Sequence, residues 1–456
     1  MQKKIRIVST DIEPWMIYIL GQFASANRLE TEYFLCTYRD CIVDQAEDDH
    51  LIEYSEKKQY KSSLFIPRKE RFRSNDFYWL NKDLPVFSDT ITTVDGNIEC
   101  DLLYNAFVHL SRLEEWMSGQ RGKSIRSYAI RHPRKNRRLW KIPLVNLLFN
   151  ELEQKIRKSH PDVEFGKREK PVIEFSHDVD YLWKSKQLIF KQSVLNVLKI
   201  FKLLSGSHPE KTSQEFQKAI RFITQKSTYW CFDEWAALET PFALSVVYYI
   251  YAKVRQKRKQ TLMQWLIDPQ YNIKTHVRLQ QQCAELISSG GGIGLHGSVL
   301  SATDEALFAQ EKQLLENSLD RVITKTRQHW LCYCESKTPY IHDSSQIWED
   351  STLGFNDISG FRSGIASRYN PYDHLAQKPF SFTEIPFVIM DSHLYDSHTG
   401  SAGLNFEWFL QSMRNIKLFE ISVGWHQRVI HPDYGWEASY VQLIRDYQNR
   451  LSHESL

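Results

Sequence analysis

Apolar residues fall in short blocks along most of the chain, and their spacing switches between two periods. Ile5-Arg6-Ile7-Val8 and Tyr33-Phe34-Leu35-Cys36-Thr37-Tyr38 read as strands. Asp101 is a plausible N-cap for a helix carrying Leu103, Phe107, Leu110 and Leu113 at helical spacing. That helix is predicted to run through Ser111-Arg112-Leu113-Glu114-Glu115-Trp116 and to end near Gly119. Another helix is predicted over about 144–158, and the polar stretch 159–170 after it reads as a domain boundary.

From Pro171 onward the pattern becomes strand, helix, strand, which predicts a parallel sheet or barrel. In 172–180, Ile173, Phe175, His177 and Val179 share one face, while Val172, Glu174, Ser176, Asp178 and Asp180 line the other. A basic amphipathic insert follows around 194–201 and is expected to pack onto the barrel, with a membrane surface as the alternative. Strands are predicted over 242–250, Ile293-Gly294-Leu295-His296, 326–331, 382–390 and 418–423, the last running into Gly424-Trp425-His426. Between them, one helix carries Val277, Cys283, Leu286 and Ile287 and stops at Gly290. A second starts at the S-x-x-D pair Ser301/Asp304 and carries Leu307, Leu314, Leu315, Leu319 and Val322.

At 456 residues, two or more domains are expected, placed at 1–165 and 170–456. A net charge of +3 is too small to imply nucleic acid as a partner. The 13 Trp and 22 Tyr suit a large core and sugar-stacking surfaces without choosing between them. Seven scattered cysteines (Cys36, Cys41, Cys100, Cys231, Cys283, Cys332 and Cys334) with no C-x-x-C pair argue for a reducing compartment. The basic N-terminus is not followed by an apolar segment, and no run approaches the ~18 apolar residues of a membrane span. The sequence therefore reads as cytoplasmic. The basic stretch Arg121, Lys123, Arg126, Arg131, Arg134, Lys135, Arg137 and Arg138 reads as solvated surface, with an acidic polysaccharide or anionic membrane face as the sharper reading.

Four predicted strands end in residues able to do chemistry: Asp178/Asp180, His296, Arg327/His329 and His426. Taken alone, two aspartates can simply close a strand, and a lone histidine is commonly part of a core. In barrels of βα units, however, strand C-termini converge on one mouth, where active sites form. Mixed oxygen and nitrogen donors suit zinc or a similar divalent ion, which lowers the pKa of a bound water to ~7. A spare carboxylate can then act as base and a histidine as acid.

Phe175-Ser176-His177-Asp178-Val179-Asp180 resembles the first motif of polysaccharide deacetylases of the NodB-homology type, carbohydrate esterase family four. Gly294-Leu295-His296-Gly297-Ser298 resembles the second motif and Arg327-Gln328-His329-Trp330 the third. Asp350-Ser351-Thr352-Leu353-Gly354-Phe355 resembles the fourth, and Val423-Gly424-Trp425-His426 the fifth. Gly360-Phe361-Arg362-Ser363-Gly364, Glu384-Ile385-Pro386-Phe387-Val388-Ile389-Met390-Asp391 and Ser111-Arg112-Leu113-Glu114-Glu115-Trp116 are similar to stretches of a longer bacterial subgroup that carries an N-terminal domain.

The resemblance implies a distorted (β/α)7 barrel preceded by a smaller mixed α/β domain. It implies Asp178 as general base, oriented by Arg327, and Asp180 and His296 as metal ligands. His426 would protonate the leaving amine, tuned by Asp350. The implied reaction is removal of N-acetyl groups from the amino sugars of a polysaccharide, glycolipid or glycan precursor. Peripheral membrane or biosynthetic-complex association would accompany synthesis on the cytoplasmic side. A catalytically weak glycan-binding or scaffold barrel and a small-molecule amidohydrolase are the alternatives.

One departure stands out: the family's second motif usually supplies another histidine four residues after the first, and that position is Leu300. His329 is the expected third ligand, two residues after Arg327 on the same strand face, with water or Ser298 as alternatives. His342, His374, His393 and His398 receive no role. Arg362 is expected to be structural or to support the site, because a charged group in a core needs partners. Cys332 and Cys334 are expected to alternate on a strand with Trp330 in packing positions.

Overall fold

The computed structural model describes residues 3–40, 50–61, 63–70, 72, 76–119, 127–134, 136–205, 209–244, 246–254, 267–395, 406–414 and 416–453. Cys41, Ser245, His398 and the basic positions Arg121, Lys123, Arg126 and Lys135 lie outside the described residues, as do the side chains of Leu195, Leu198 and Lys199.

The early β-branched and aromatic runs pair in parallel. Strands β1 (Ile5–Ser9), β2 (Tyr33–Thr37), β3 (His50–Ser55) and β4 (Leu64–Pro67) form a sheet in the order β2-β1-β3-β4. Two hairpins follow, β5 (Phe77–Trp79) with β6 (Pro85–Phe87), and β7 (Ile91–Val94) with β8 (Asn97–Cys100). Helices Pro14–Asn27, Leu102–Leu110 and Leu144–Ser159 share one apolar core with the sheet through Ile7, Phe23, Ile52, Leu103 and Phe149. Asp101 caps Leu102–Leu110 by accepting from the Tyr104 N–H, as its position predicts. The helix does not run on to Gly119. It stops at Leu110, Arg112 turns left-handed at φ 52°, and a new helix spans Leu113–Gly119.

The second sheet is all parallel and carries eight strands. Its early members are β9 (Val172–Val179), β10 (Val246–Tyr251), β11 (Gly292–Gly297), β12 (Lys325–Gln328) and β13 (Glu349–Asp350). After a small hairpin, β14 (Tyr372–Asp373) with β15 (Lys378–Pro379), come β16 (Thr383–Glu384), β17 (Phe387–Met390) and β18 (Glu420–His426). The order is β16-β13-β12-β11-β10-β9-β18-β17, so the two edge strands are consecutive in the chain. The sheet therefore curls until both edges meet in one segment. The sequence reads 382–390 as a single strand; the break falls at Pro386, which has no N–H for a ladder. The Ile385 N–H still donates to Asp350 O on one side, and Pro386 O accepts from the Ser422 N–H on the other.

Period-two alternation sorts β9 as the sequence predicts. Ile173, Phe175 and Val179 join an outer core with Trp235, Tyr248 and Tyr440. His177 lies on that face and bonds Trp425 O at 2.8 Å and Glu239 at 2.7 Å. Ser176 and Asp178 face the interior, against Arg327. Two glycines make room there. A Cβ on Gly424 would come within 2.8 Å of the Phe387 ring, and one on Gly294 within 2.7 Å of the Tyr249 ring.

The insert after β9 forms helices Lys186–Ser205 and Pro209–Thr224, and it does not simply pack onto the barrel: Phe190, Val194, Val197 and Phe201 are exposed. No helix among the described residues is long and apolar enough to cross a membrane.

The two halves of the chain meet through buried ion pairs built on Ser111-Arg112-Leu113-Glu114-Glu115. Arg112 Nε donates to Glu335 Oε1 at 3.0 Å and Arg362 Nε donates to Glu115 at 3.1 Å, while Glu114 pairs with Arg134 inside the first half. Arg362 also bonds Ser127 and Gly354 O, which makes it a structural arginine. Tyr333, Leu353 and Tyr369 complete the first core from the second half. Breaking a buried pair leaves an uncompensated charge and costs about 3–5 kcal/mol. Arg112→Ala, which strands Glu335, is expected to destabilise the chain by that order, read as a lower midpoint in urea unfolding.

Candidate active site

Parallel register brings the predicted residues to one end of the second sheet. His426 pairs with Asp178 across β18 and β9, and His296 with Arg327 across β11 and β12. Arg327 is fully buried and uses all five of its donors. Nε donates to Ser351 O at 3.0 Å, one terminal nitrogen to Ser176 Oγ and Asp178 Oδ1 at 2.8 Å each, and the other to Ser351 Oγ at 3.0 Å and Ser422 Oγ at 2.9 Å. Its guanidinium is 4.2 Å from the Tyr249 ring centre and 4.1 Å from that of Phe387. Burial alone would raise the Asp178 carboxyl, but Arg327, with His296 and His426, outweighs it and holds the group below its usual range. Asp178 is thus a fixed, ionised carboxylate.

Asp180 sits at the convergence. Oδ1 is 3.3 Å from His296 Nε2 and 3.7 Å from His329 Nε2; Oδ2 is 3.1 Å from Arg428 and 3.4 Å from His426 Nε2. One ligand atom each from Asp180, His296 and His329 lies within 4.8 Å of the others, and all three residues are buried. His296 Nδ1 faces Arg327 O at 2.9 Å. A carbonyl only accepts, so Nδ1 carries a proton and Nε2 is the ring atom that faces Asp180. Among the described residues, Asp180 Oδ1 and His296 Nε2 are buried with no hydrogen-bond partner. Such groups are rare unless a ligand or ion satisfies them. An oxygen and two imidazole nitrogens are a donor set that zinc accepts, so these residues fit a divalent ion.

His329 reaches this cluster by a different route from the one predicted. Strand β12 ends at Gln328, and Trp330 (φ 58°) and Leu331 (φ 47°) are both left-handed, so His329 opens a turn rather than extending a strand. Consecutive non-glycine residues in that region are costly, and such strain clusters at functional sites. The same turn removes the strand expected for Cys332 and Cys334. Burial would lower the His329 imidazole, yet Asp180 and Asp268 raise it to about 9. Its Nδ1 is 3.4 Å from Asp268 Oδ1, a carboxylate–histidine pair that fixes the ring. Ser298 Oγ accepts from the Ser301 N–H, within its own loop.

The partner of His426 is Asp391, not Asp350. His426 Nδ1 lies 2.8 Å from Asp391 Oδ2, which also accepts from the His426 N–H at 2.7 Å. Burial lowers this imidazole, but Asp391 outweighs it and the pKa is raised. Asp350 instead bonds His342 Nδ1 at 2.8 Å and Thr352, deep in the wall. Asp391 directly follows the apolar strand β17 just as Asp180 follows β9, a signal the sequence carried. Asp268 has no comparable signal: it comes near His329 only through tertiary folding. Arg428 follows His426 at a spacing of two, which the sequence did display. Of the remaining histidines, His374 bonds Ser111 O and His393 bonds Phe355 O.

The cavity of about 280 Å³ at the junction of the two halves is lined by Glu115, Arg131, His132, Tyr333, Glu335 and Arg362, but by none of the Asp/His cluster.

No protein-family model matches the chain, and no curated protein does. Solved structures do. A candidate polysaccharide deacetylase from Mycobacterium smegmatis is 15% identical, with 62% of this chain and 86% of that one covered and a TM-score of 0.36. One from Bordetella bronchiseptica, described as involved in O-antigen biosynthesis, is 9% identical over 61% and 81%, with a TM-score of 0.26. A mutant of a family-four carbohydrate esterase pseudoenzyme with restored activity is 9% identical over 64% and 66%, with a TM-score of 0.28. All three neighbours are of the polysaccharide deacetylase type. Since every TM-score is below 0.5, function rests on the side chains described above.

Removing an outer carboxylate from a ligand histidine typically lowers metal affinity about 10–100-fold. Asp268→Asn is expected to weaken zinc binding by that factor, and His329→Ala to reduce zinc content further, both read by elemental analysis after dialysis. Unchanged zinc in His329→Ala would remove it from the ligand set.

Glu311, under the loop after His296, accepts from the Ser298 N–H at 3.0 Å, and burial pushes its carboxyl up to about 8 from an ordinary 4.5. The folded chain then holds a proton that the unfolded chain has released. This contribution to stability is complete below pH 4.5 and is lost as pH rises through about 8. Glu311→Gln is expected to flatten that part of the stability–pH curve, measured by thermal unfolding between those limits.

Proposed function

We propose that this chain is a divalent-metal-dependent hydrolase that removes N-acetyl groups from amino sugars of a polysaccharide, glycolipid or glycan precursor, with zinc the expected ion. One observation carries the reading. A carboxylate held by an arginine and a histidine held by a carboxylate, Asp178/Arg327 and His426/Asp391, border the donor set of Asp180, His296 and His329.

When bound, the ion would act as a Lewis acid toward water and the acyl oxygen. Asp178 takes a proton from the attacking water. Its depressed pKa keeps it ionised and ready throughout the neutral range, and Arg327 fixes the oxygen nearest to it. As the carbon–nitrogen bond breaks, His426 gives the proton on Nε2 to the leaving amine. Asp391 on Nδ1 stabilises the imidazolium that makes this donation, which explains why the His426 pKa is raised. Arg428 binds Asp180 Oδ2 and leaves Oδ1 as the oxygen facing the two ligand histidines.

The test is acetate release from a panel of N-acetylated hexosamine oligomers by the zinc-loaded full chain. General acid–base residues typically contribute about 10²–10⁴-fold. Asp178→Asn and Asp391→Asn are expected to lower kcat by that order, while Asp350→Asn stays within a few-fold. Metal bound without acetate release from any sugar overturns the reading in favour of a glycan-binding barrel. Activity confined to small non-sugar amides would identify an amidohydrolase instead.

A further inference from the structure

The hairpin of helices Lys186–Ser205 and Pro209–Thr224 follows the end of β9, where Asp178 in the strand and Asp180 just after it make up the centre of the site. Its base is anchored. Leu188 and Phe222 are buried with Tyr181 and Tyr229, and Gln187 Nε2 donates to Asp268 O at 3.0 Å. Lys191 Nζ is 4.8 Å above the ring of Trp330, next to His329.

Beyond the base, the hairpin exposes an apolar row. Phe190, Val194, Val197 and Phe201 recur at the spacing of one helix face, with Phe190 57% and Phe201 67% exposed. The second helix adds Phe216, Ile220 and Ile223, all about half exposed. A monomeric protein in water seldom leaves so many large apolar side chains in two consecutive rows.

The charge of the same segment indicates what covers them. Residues 186–224 contain seven Lys and Arg (Lys186, Lys191, Lys199, Lys202, Lys211, Lys218 and Arg221) against two Glu, Glu210 and Glu215. That net +5 exceeds the +3 of the whole chain, so the rest of the protein is net negative. The first helix has no acidic residue at all. An exposed apolar row in a segment with this excess of positive charge, on helices too polar to cross a bilayer, is the signature of a helix that lies in a membrane interface. Anionic headgroups attract such a charge, and the acyl boundary accepts exposed phenylalanines.

We propose that this hairpin docks the protein onto an anionic lipid bilayer, with the Asp/His cluster held close to the membrane surface. The inference stands independently of the reaction proposed above. It bears on it, because a site next to the bilayer would meet lipid-linked glycans first.

The test is co-sedimentation of the full chain with vesicles of phosphatidylcholine mixed with phosphatidylglycerol, and with vesicles of phosphatidylcholine alone. Binding is expected to the mixed vesicles, to weaken as salt screens the charges, and to fall about tenfold or more in Phe190→Glu/Phe201→Glu. Zinc content in the double variant should equal that of the wild type, because both phenylalanines are largely exposed and the cluster is buried. If the glutamates lower helicity by circular dichroism, Val194→Ser/Val197→Ser replaces them. No binding to the mixed vesicles, or equal binding by the variants, overturns the proposal. A wild-type dimer that the variants make monomeric, with no vesicle binding by either, would assign the row to a second copy of the chain and equally overturn it.

Discussion

A guanidinium with no exposure at all, inside a curled sheet, governs much of the rest of the structure. Taking Arg327 out of water costs several kcal/mol, and the cost is offset only if each donor finds an acceptor and the charge finds a counter-charge. Both conditions hold. Ser176, Ser351 and Ser422 line three strands or strand ends with small hydroxyls, Asp178 provides the charge, and Tyr249 and Phe387 close the two flat faces. The glycines at 294 and 424 follow from the same demand, since a side chain at either would occupy the space of those rings. The barrel interior is thus packed around one cation, and the position of the Asp178 carboxylate is a consequence of that packing.

Asp180 faces the opposite problem, an excess of partners. Its two oxygens are divided between two groups: the histidines at 296 and 329 on one, Arg428 and His426 on the other. Burial would raise its carboxyl, but His329, His296 and His426 outweigh it and hold the group well below the ordinary range. Leu300 supplies no imidazole, and in the proposed reading His329 takes that place from a different strand end. That solution requires the left-handed turn at Trp330 and Leu331 and the orienting carboxylate of Asp268.

Outside the site, buried charge does mechanical work as well. The segment from Arg112 to Glu115 contributes three charges, and each is matched: Arg112 and Glu115 by Glu335 and Arg362 of the second half, Glu114 by Arg134 of the first. Because ion pairs of this kind are costly to leave unmatched, they favour one relative placement of the elements they join. The loop after β12 therefore serves both the site, through His329, and the junction, through Tyr333 and Glu335.

Alternation and helical spacing along the chain, which depend only on local side-chain direction, already determined the parallel second sheet, the two faces of β9, the Asp101 cap and the strand-end positions of Asp178, Asp180, His296, Arg327 and His426. They could not assign partners across the mouth. The choice between Asp350 and Asp391 for His426 depends on which strand lies beside β18, and sheet order is a long-range property. Asp391 had the same local signature as the chosen aspartates, whereas Asp268 had none. The break at Ser111–Arg112, the turn at Trp330 and the exposure of the hairpin also arise from context, because an amphipathic pattern states that a face is apolar without stating what it meets. Local periodicity decided which residues could do chemistry. Tertiary structure decided which of them hold one another, because hydrogen bonds and ion pairs act over a few ångströms between residues far apart in the chain, as Asp180 and Arg428 are at 248 positions.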